Sequence, residues 1–255
     1  MKIATISLNI SWQDIQSNLQ KAESFILKAK NDGCDVVVFP EVFNTGFVAN
    51  MDKYVEIPEG ITYKTLQRLA IDNSISLVAG ISEKTTNKKA KNVAIVFDSN
   101  GKELAKYVKI HPFNYANEGE HFVSGEKTVS FSLEKATCSV FICYDLRFPE
   151  IFRKVAKSSQ VIFVVANWPD TREKHWQHLL VSRAIENQCF IVGVNRTGKD
   201  GVGLRYNGSS MIINPSGKVL MQTDNDTEYE FCILDLKDVS LTRERFPFLE
   251  DMRFV

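Results

Sequence analysis

The chain has 255 residues, of which 44% are hydrophobic, and its 31 Lys and Arg residues balance 31 Asp and Glu residues. This length and composition suffice for a large core, and we expect a single domain spanning residues 1–255. The zero net charge gives no basis for binding nucleic acid or an anionic membrane surface, since either would call for a basic excess. Every apolar run falls well short of the roughly 20 residues that span a bilayer.

The cysteine pattern indicates a reducing environment. The chain has five cysteines, an odd number that is widely spaced and mostly placed within apolar runs. This pattern argues against a disulfide framework. The N-terminal residues enter a predicted strand directly, without the long apolar stretch of a signal peptide. We therefore expect a cytoplasmic protein.

Apolar runs of strand length alternate with helical periodicities along the chain. The predicted strands lie at residues 2–9, 35–40, 76–81, 92–98, 103–110, 129–133, 138–144, 160–166, 189–195, 209–214, 218–222 and 230–235. The predicted helices lie at residues 12–30, 63–72, 149–157, 175–187 and 236–245. Two β-α-β arms, each followed by hairpin-like strands, favour an α/β fold of two sheets with helices outside, a four-layer αββα sandwich. Composition alone also permits a three-layer doubly wound sheet.

Cys143 follows an apolar run at the point where a predicted strand gives way to a turn and then a helix. A thiol at this position is suited to act as a nucleophile, because the helix N-terminus and its free N–H groups favour a thiolate and a neighbouring oxyanion. The alternative is a small core side chain, the commoner role of a lone buried cysteine.

Two charged residues also end predicted strands. Glu41 follows Phe39 and Pro40, where it could serve as a general base for a thiol and later for water. Lys109 closes another strand and could donate to an oxyanion. Taken singly, each is more often a solvated residue at a strand end. A glutamate, a lysine and a cysteine ending three separate strands are the groups that cysteine-based acyl transfer needs.

Five segments place the chain near a known family: FPE at 39–41, KIHPF at 109–113, CYDLRFPE at 143–150, ANWP at 166–169 and GVNR at 193–196. With these segments the chain resembles the nitrilase superfamily, the carbon–nitrogen hydrolases, along essentially its whole length. The resemblance implies the αββα sandwich, usually as a homodimer formed through the helical face beside the nucleophile. It implies neither a metal nor an organic cofactor.

The resemblance also implies site residues. It assigns a catalytic triad to Glu41, Lys109 and Cys143. Amide hydrolysis also needs oxyanion donors, and we expect Lys109 and the backbone N–H of Tyr144 to supply them. A further glutamate orients the lysine, and the spacing of the family selects Glu118, with Glu120 as the near alternative. The family usually has Pro where Ser124 stands, so this loop departs from the pattern.

Residues 143–150 and 166–169 look most like the ω-amidase branch, whose members hydrolyse the terminal amide of small dicarboxylic monoamides such as 2-oxoglutaramate and succinamate. The far carboxylate of such a substrate needs a cation, and guanidinium suits it best. Arg172 is the candidate, or else a residue of a helix surface. Trp168 is a candidate pocket wall, and Tyr115 and Phe43 either line the pocket or pack in the core. We expect Arg147 to brace its own turn by pairing with Asp145 or Glu150.

Three alternatives stay open. One is an N-carbamoyl amine hydrolase or a nitrilase, and another is a catalytically silent binding protein on the same fold. The third is a Cys–His pair made of Cys143 and His111, although His111 looks structural in this family. The leading hypothesis is a hydrolase whose only partners in the reaction are a small amide and water.

Overall fold

The computed structural model of the protein describes residues 1–47, 54–86 and 89–253. The strands are β1 Lys2–Ile6, β2 Val36–Val38, β3 Ser76–Lys84, β4 Ala90–Phe97, β5 Glu103–Val108, β6 Ser130–Leu133, β7 Ala136–Ile142, β8 Val161–Ala166, β9 Phe190–Asn195, β10 Thr197–Lys199, β11 Arg205–Asn207, β12 Met211–Ile213, β13 Val219–Gln222 and β14 Tyr229–Ile233. The α-helices are α1 Ile15–Asn31, α2 Ile61–Asn73, α3 Glu118–His121, α4 Pro149–Ala156, α5 Glu173–Asn187 and α6 Lys237–Arg245. Single 3₁₀ turns span Asn114–Ala116, Cys143–Arg147, Asp170–Arg172 and Phe248–Asp251.

Two six-stranded sheets follow the same plan. The first has the order β14-β1-β2-β3-β4-β5 and the second β13-β12-β9-β8-β7-β6. In each sheet three neighbouring strands run parallel, β1-β2-β3 and β7-β8-β9, and the remaining pairs are antiparallel. A parallel pair needs a crossover, and α1, α2, α4 and α5 supply these connections.

Alternating side chains on β2 show how the layers stack. Val36 and Val38 pack into the core shared with the second sheet, whereas Val37 packs with the core beneath α1 and α2. This is the period-two alternation of a strand buried on both faces. Helices α4 and α5 cover the outer face of the second sheet, since Phe152 and Leu180 belong to its core. The four-layer αββα prediction is confirmed, and the three-layer alternative is wrong.

The first helix illustrates why the sequence forms these elements. Asp14 caps α1 by accepting the backbone N–H of Ser17. The buried apolar residues Leu19, Ala22 and Ile26 fall on one face at intervals of three and four, which is the spacing that presents an apolar stripe to a sheet.

Several element boundaries differ from the prediction at the site. Strand β2 ends at Val38 rather than at residue 40, because proline at position 40 has no N–H to continue the ladder. Strand β7 ends at Ile142 rather than at 144, because Cys143 has a left-handed φ of 44°. The short hairpin of β10 and β11 was not predicted. Among the described residues, no helix is both long and apolar enough to cross a membrane.

Candidate active site

Cys143 lies where β7 breaks into a 3₁₀ turn ahead of α4. Its φ of 44° is uncommon for a residue with a side chain and turns the thiol out of the sheet. The residue is partly exposed at a cavity of about 620 Å³. The Sγ atom lies 3.8 Å from the carbonyl oxygen of Asn167, which follows the parallel neighbour β8.

Three further charged residues line the same cavity, and the lysine among them contacts both glutamates. Lys109 Nζ donates to Glu41 Oε1 at 2.9 Å, and to Glu118 at 3.0 Å from Oε1 and 2.8 Å from Oε2. Glu41 and Glu118 are each 1% exposed and Lys109 is 2% exposed. The structure therefore brings Glu41, Lys109, Glu118 and Cys143 together. Of the two candidate glutamates, Glu118 occupies this position and Glu120 is exposed.

The buried charges act on one another. Burial alone would lower the pKa of Lys109, but the carboxylates of Glu41 and Glu118 raise it well above its ordinary value. Burial, reinforced by the carboxylate of Glu41, raises the pKa of the Cys143 thiol well above its ordinary value, although Lys109 opposes this shift. This direction runs against the expected thiolate. The two directions favour an ammonium on Lys109 and a neutral thiol on Cys143, which needs a base to lose its proton.

A close backbone contact fixes the position of Glu41. The next residue, Val42, has a φ of 39°, an unfavourable conformation for a β-branched residue. The chain passes so close to Gly80 that an added Cβ there would lie 2.4 Å from Glu41 Cα. The N–H of Phe43 donates to the carbonyl of Gly80 at 3.0 Å. Glycine at position 80 thus permits the turn that directs Glu41 towards the cavity.

Tyr144 lines the cavity one residue after the thiol. It is the second residue of the 3₁₀ turn, and N–H groups in the first turn of a helix have no partner within it. The N–H of Tyr144 is thus placed where it could donate to a ligand held at Cys143.

Two of the predicted substrate-binding residues line the cavity. Trp168 is almost fully buried, and its indole N–H donates to the carbonyl of Arg172 at 2.8 Å. The Arg172 guanidinium lies 5.4 Å from the centre of the Phe113 ring and also lines the cavity. A tryptophan and a cation therefore share the wall of the pocket.

The other two predicted pocket residues lie elsewhere. Phe43 is 0% exposed and packs beneath α1 and α2, with its ring centre 5.0 Å from that of Phe39. Its apolar ring is buried because the 41–46 turn folds back onto the first sheet. Tyr115 is 89% exposed and does not line the cavity. Its polar ring lies on a surface turn and contacts only the edge of the site through Phe113.

Arg147 lines the cavity, whereas the sequence predicted a structural role for it in its own turn. It makes no ion pair with Asp145 or Glu150, whose positions the structure describes. The Asp145 carboxylate is already occupied by other donors. Arg147 lies 4.8 Å from the Trp168 ring centre and lines the cavity. Burial lowers the pKa of Arg147, and the nearby Arg172 guanidinium lowers it further. Two like charges thus share this side of the cavity.

His111 has a structural position. Its Nδ1 lies 2.8 Å from Asp145 Oδ1, and its ring stacks on Phe148 at 3.7 Å. It does not line the cavity that holds Cys143. Among the residues that the structure describes, no three His, Cys, Asp or Glu side chains are grouped to hold a metal ion. The other four cysteines are Cys34, Cys138, Cys189 and Cys232, none of which lines the cavity.

Sequence reasoning missed the residues that the β10–β11 hairpin brings to the cavity. Asp200, Val202, Leu204 and Tyr206 form part of its wall, together with Trp12 from the start of the chain. Val202 and Leu204 are exposed apolar side chains within a glycine-rich turn. That combination was the available signal, because a turn with no binding role is usually polar.

A sequence profile of the carbon–nitrogen hydrolases matches residues 2–244. The chain is 34% identical to a 2-oxoglutaramate amidase of Bacillus subtilis, covering 98% of this chain and 97% of that one. It is 31% identical to the omega-amidase YafV of Yersinia enterocolitica, covering 98% and 96%.

Among solved structures, the fold matches XC1258 of Xanthomonas campestris, a CN-hydrolase superfamily protein with an arsenic adduct in its active site. The TM-score is 0.94 at 26% identity, over 100% of this chain and 98% of that one. Sequence, fold and the cluster around Cys143 agree: this chain belongs to the carbon–nitrogen hydrolase family.

Proposed function

We propose that this protein is an ω-amidase, which hydrolyses the terminal carboxamide of a small dicarboxylic monoamide to the acid and ammonia. Substrates of this class include 2-oxoglutaramate, 2-oxosuccinamate and succinamate. The observation that carries the proposal is the presence of two guanidinium groups, Arg147 and Arg172, in the cavity that holds the cluster around Cys143. The names of the relatives from Bacillus subtilis and Yersinia enterocolitica support the same substrate class.

Acylation begins with the neutral thiol. Cys143 Sγ attacks the amide carbon while its proton passes to the carboxylate of Glu41, so that the S–H bond breaks as the S–C bond forms. The oxyanion that develops is stabilised by Lys109 Nζ and by the backbone N–H of Tyr144. Glu41 then gives the proton to the leaving nitrogen, ammonia departs, and a thioester remains.

Deacylation reuses the same groups. Glu41 accepts a proton from a water molecule, which attacks the thioester carbon and passes through a second oxyanion at the same donors. Collapse of this intermediate breaks the C–S bond, releases the carboxylic acid and returns the proton to the sulfur. Glu118 keeps Lys109 charged and fixed through both steps, because it binds the ammonium through both of its oxygens.

The two arginines account for the second carboxylate of the substrate. Burial lowers the pKa of Arg147, and repulsion by Arg172 lowers it further; a bound anion removes that repulsion. Guanidinium groups also bind carboxylates with two parallel hydrogen bonds. A neutral amide of the same length gains neither contribution, so the arginines select for monoamides of dicarboxylic acids.

The test is ammonia release from succinamate, an N-carbamoyl amine and an aliphatic nitrile. We expect succinamate to be hydrolysed with the highest kcat/KM, and Cys143→Ala to abolish its turnover. A clear preference for either other substrate would overturn the proposed branch. Ammonia release that survives in Cys143→Ala would remove the cysteine mechanism.

We also propose a cytoplasmic, single-domain homodimer. The widely spaced cysteines support a reducing compartment. Exposed apolar side chains on and beyond the outer helices, Ile185, Phe246 and Phe248, support an association through that face. Light scattering during size-exclusion chromatography tests the dimer, and a mass of one 28.9 kDa chain would contradict it.

A further inference from the structure

Asn92 contacts all three charged residues that surround the reacting sulfur, which are Glu41, Glu118 and Lys109. It lies on β4 and is 1% exposed. Its side-chain Nδ2 donates to Glu41 Oε1 at 2.7 Å and to Glu118 Oε1 at 3.1 Å. Its backbone carbonyl accepts the N–H of Lys109 at 2.9 Å. One strand residue thus holds two carboxylates with its side chain and the lysine with its main chain.

The orientation of the amide group follows from the charges around it. Both carboxylates face the same end of Asn92, so only the NH₂ end can bind them, since an amide oxygen there would be repelled. The other end, Oδ1, is buried without a hydrogen-bond partner among the described residues. An unpaired buried oxygen is unfavourable for folding. Stability alone therefore does not explain an asparagine at this position.

The hydrogen bonds of Glu41 identify which of its oxygens is free to react. Oε1 accepts from Lys109 Nζ and from Asn92 Nδ2, which uses both of its lone pairs. Within the described part of the chain, Oε2 accepts one hydrogen bond, from the backbone N–H of Asn167 at 2.8 Å. One acceptor position is therefore left on Oε2. The same residue, Asn167, contacts the thiol of Cys143 through its carbonyl oxygen.

We propose that Asn92 is a positioning residue of this site, which holds Glu41 and Glu118 in place as carboxylates and leaves Glu41 Oε2 to accept the proton of Cys143. The charged groups around the thiol are Glu41, Glu118 and Lys109. With both carboxylates ionised, two negative charges face one ammonium. The Asn92 amide is the neutral side-chain donor that the structure gives to both of them.

The inference rests on the proposed role of Glu41 as the base, but not on the proposed substrate. Alkylation of Cys143 by iodoacetamide separates the two. In that reaction the sulfur displaces iodide, and the thiol proton must pass to a base. Peptide mass spectrometry follows Cys143 apart from the other cysteines, so its rate can be measured against pH without any knowledge of the substrate.

The variant that tests the inference is Asn92→Leu, which keeps the shape of the side chain and removes its donors. Loss of the amide favours protonation of the carboxylates, so the acidic limb of the alkylation profile moves to higher pH by about one pH unit. The rate at neutral pH falls about tenfold, as expected from the loss of a hydrogen bond to a charged group. Glu41→Gln removes the acidic limb.

The matched control is Ser82→Ala. Ser82 is the cross-strand partner of Asn92 on β3, and its buried hydroxyl has no partner among the described residues. We expect this variant to keep the wild-type profile. Should Asn92→Leu not fold, as judged by circular dichroism, the smaller Asn92→Ala also has no donor and carries the same expected shift.

Two results would overturn the inference. One is a folded Asn92 variant that keeps the wild-type alkylation profile, and the other is a Ser82→Ala profile displaced as far as that of Asn92→Leu. If wild type does not hydrolyse succinamate while its alkylation still depends on Asn92, the proposed substrate fails and the role of Asn92 stands.

Discussion

Asp145 and His111 join the turn after β7 to the end of β5. Asp145 Oδ1 accepts the backbone N–H of His111 at 3.0 Å and lies 2.8 Å from its ring Nδ1. The other oxygen, Oδ2, accepts the Tyr107 hydroxyl at 2.7 Å and the N–H of Ile142 at 3.2 Å. Tyr107 and His111 flank Lys109 by two residues on each side. One buried carboxylate therefore sets the spacing between the lysine and the sulfur.

We predict that Asp145→Asn disrupts this spacing. An amide can accept hydrogen bonds at one end only, so its NH₂ group must face either the His111 N–H or the Tyr107 hydroxyl. We expect the free energy of unfolding to fall by about 2–3 kcal/mol, because at least one hydrogen bond to a charged group is lost. Activity should fall by at least about tenfold, since the sulfur and the lysine move relative to each other.

The measurements are urea unfolding and ammonia release from succinamate. Glu150→Gln is the control, because Glu150 is an exposed carboxylate at the start of α4. We expect Glu150→Gln to change the free energy of unfolding by no more than about 0.5 kcal/mol. Equal stabilities of the Asp145 and Glu150 variants would contradict the role given to Asp145.

We predict that Gly80→Ala damages the site through Glu41. The added Cβ would lie 2.4 Å from Glu41 Cα and 2.8 Å from the Pro40 carbonyl oxygen, both of them backbone atoms that cannot move independently. We expect kcat/KM to fall by about 100-fold or more, because an error near 1 Å in a catalytic base has effects of this size. Overpacking should also lower the free energy of unfolding by roughly 1–3 kcal/mol.

Gly33→Ala is the comparison for Gly80→Ala. Gly33 has a φ of +69°, but an added Cβ would meet nothing within 4 Å. We expect it to cost about 1 kcal/mol of stability through its left-handed backbone and to leave the kinetics unchanged. If both variants lost activity equally, the steric argument for Gly80 would fail.

The sequence sufficed for the fold because the two sheets repeat one local pattern. Apolar strands that alternate with amphipathic helices indicate a sheet that is buried on both of its faces. Strands β2 and β8 are of this kind, since all of their residues are buried. The prediction failed where local conformation decided the boundary. The left-handed φ of Cys143 ends β7 two residues early, and no periodicity in the sequence encodes that turn.

The candidate site was only partly accessible from the sequence. Strand ends locate Glu41, Lys109 and Cys143, because a strand end fixes where a side chain emerges. The direction of Arg147 was not accessible, since both Asp145 and the cavity lie within reach of its long side chain. The structure decides between them by giving the Asp145 oxygens to Tyr107, His111 and Ile142.

We predict that Arg147→Leu and Arg172→Leu reduce activity selectively. For succinamate, kcat/KM should fall about 10- to 100-fold in each variant, as expected when one charged hydrogen-bond partner of a carboxylate is removed. For butyramide, an uncharged amide, the loss should stay below about threefold, because that substrate has no carboxylate for either arginine to bind.

Arg205→Leu is the control for the two arginines. Arg205 is exposed on β11 and does not line the cavity, so its removal should leave both substrates unaffected. Equal losses on succinamate and butyramide in the Arg147 and Arg172 variants would mean that the arginines shape the pocket rather than bind a carboxylate.

We predict that stability falls above about pH 9 because of buried thiols away from the site. Burial raises the pKa of Cys189 to about 12, from an ordinary value of 9.0. Between these values the unfolded chain has lost a proton that the folded chain keeps, so ionisation favours unfolding. Below pH 9 the neutral thiol makes its full contribution to the free energy of unfolding. Above pH 9 this contribution falls by about 1.4 kcal/mol per pH unit until the folded thiol also ionises.

Cys189→Ala should therefore flatten the decline of unfolding free energy between pH 9.5 and 11 by about 1.4 kcal/mol per pH unit. Urea unfolding at half-unit steps of pH measures this slope. Cys232→Ala is the control, because Cys232 is partly exposed on β14 and its thiol is less shielded from water. Its slope should change less than that of Cys189→Ala. An unchanged slope in Cys189→Ala would mean that this thiol ionises in the folded chain at its ordinary pKa, which requires water to reach a side chain that the fold encloses completely.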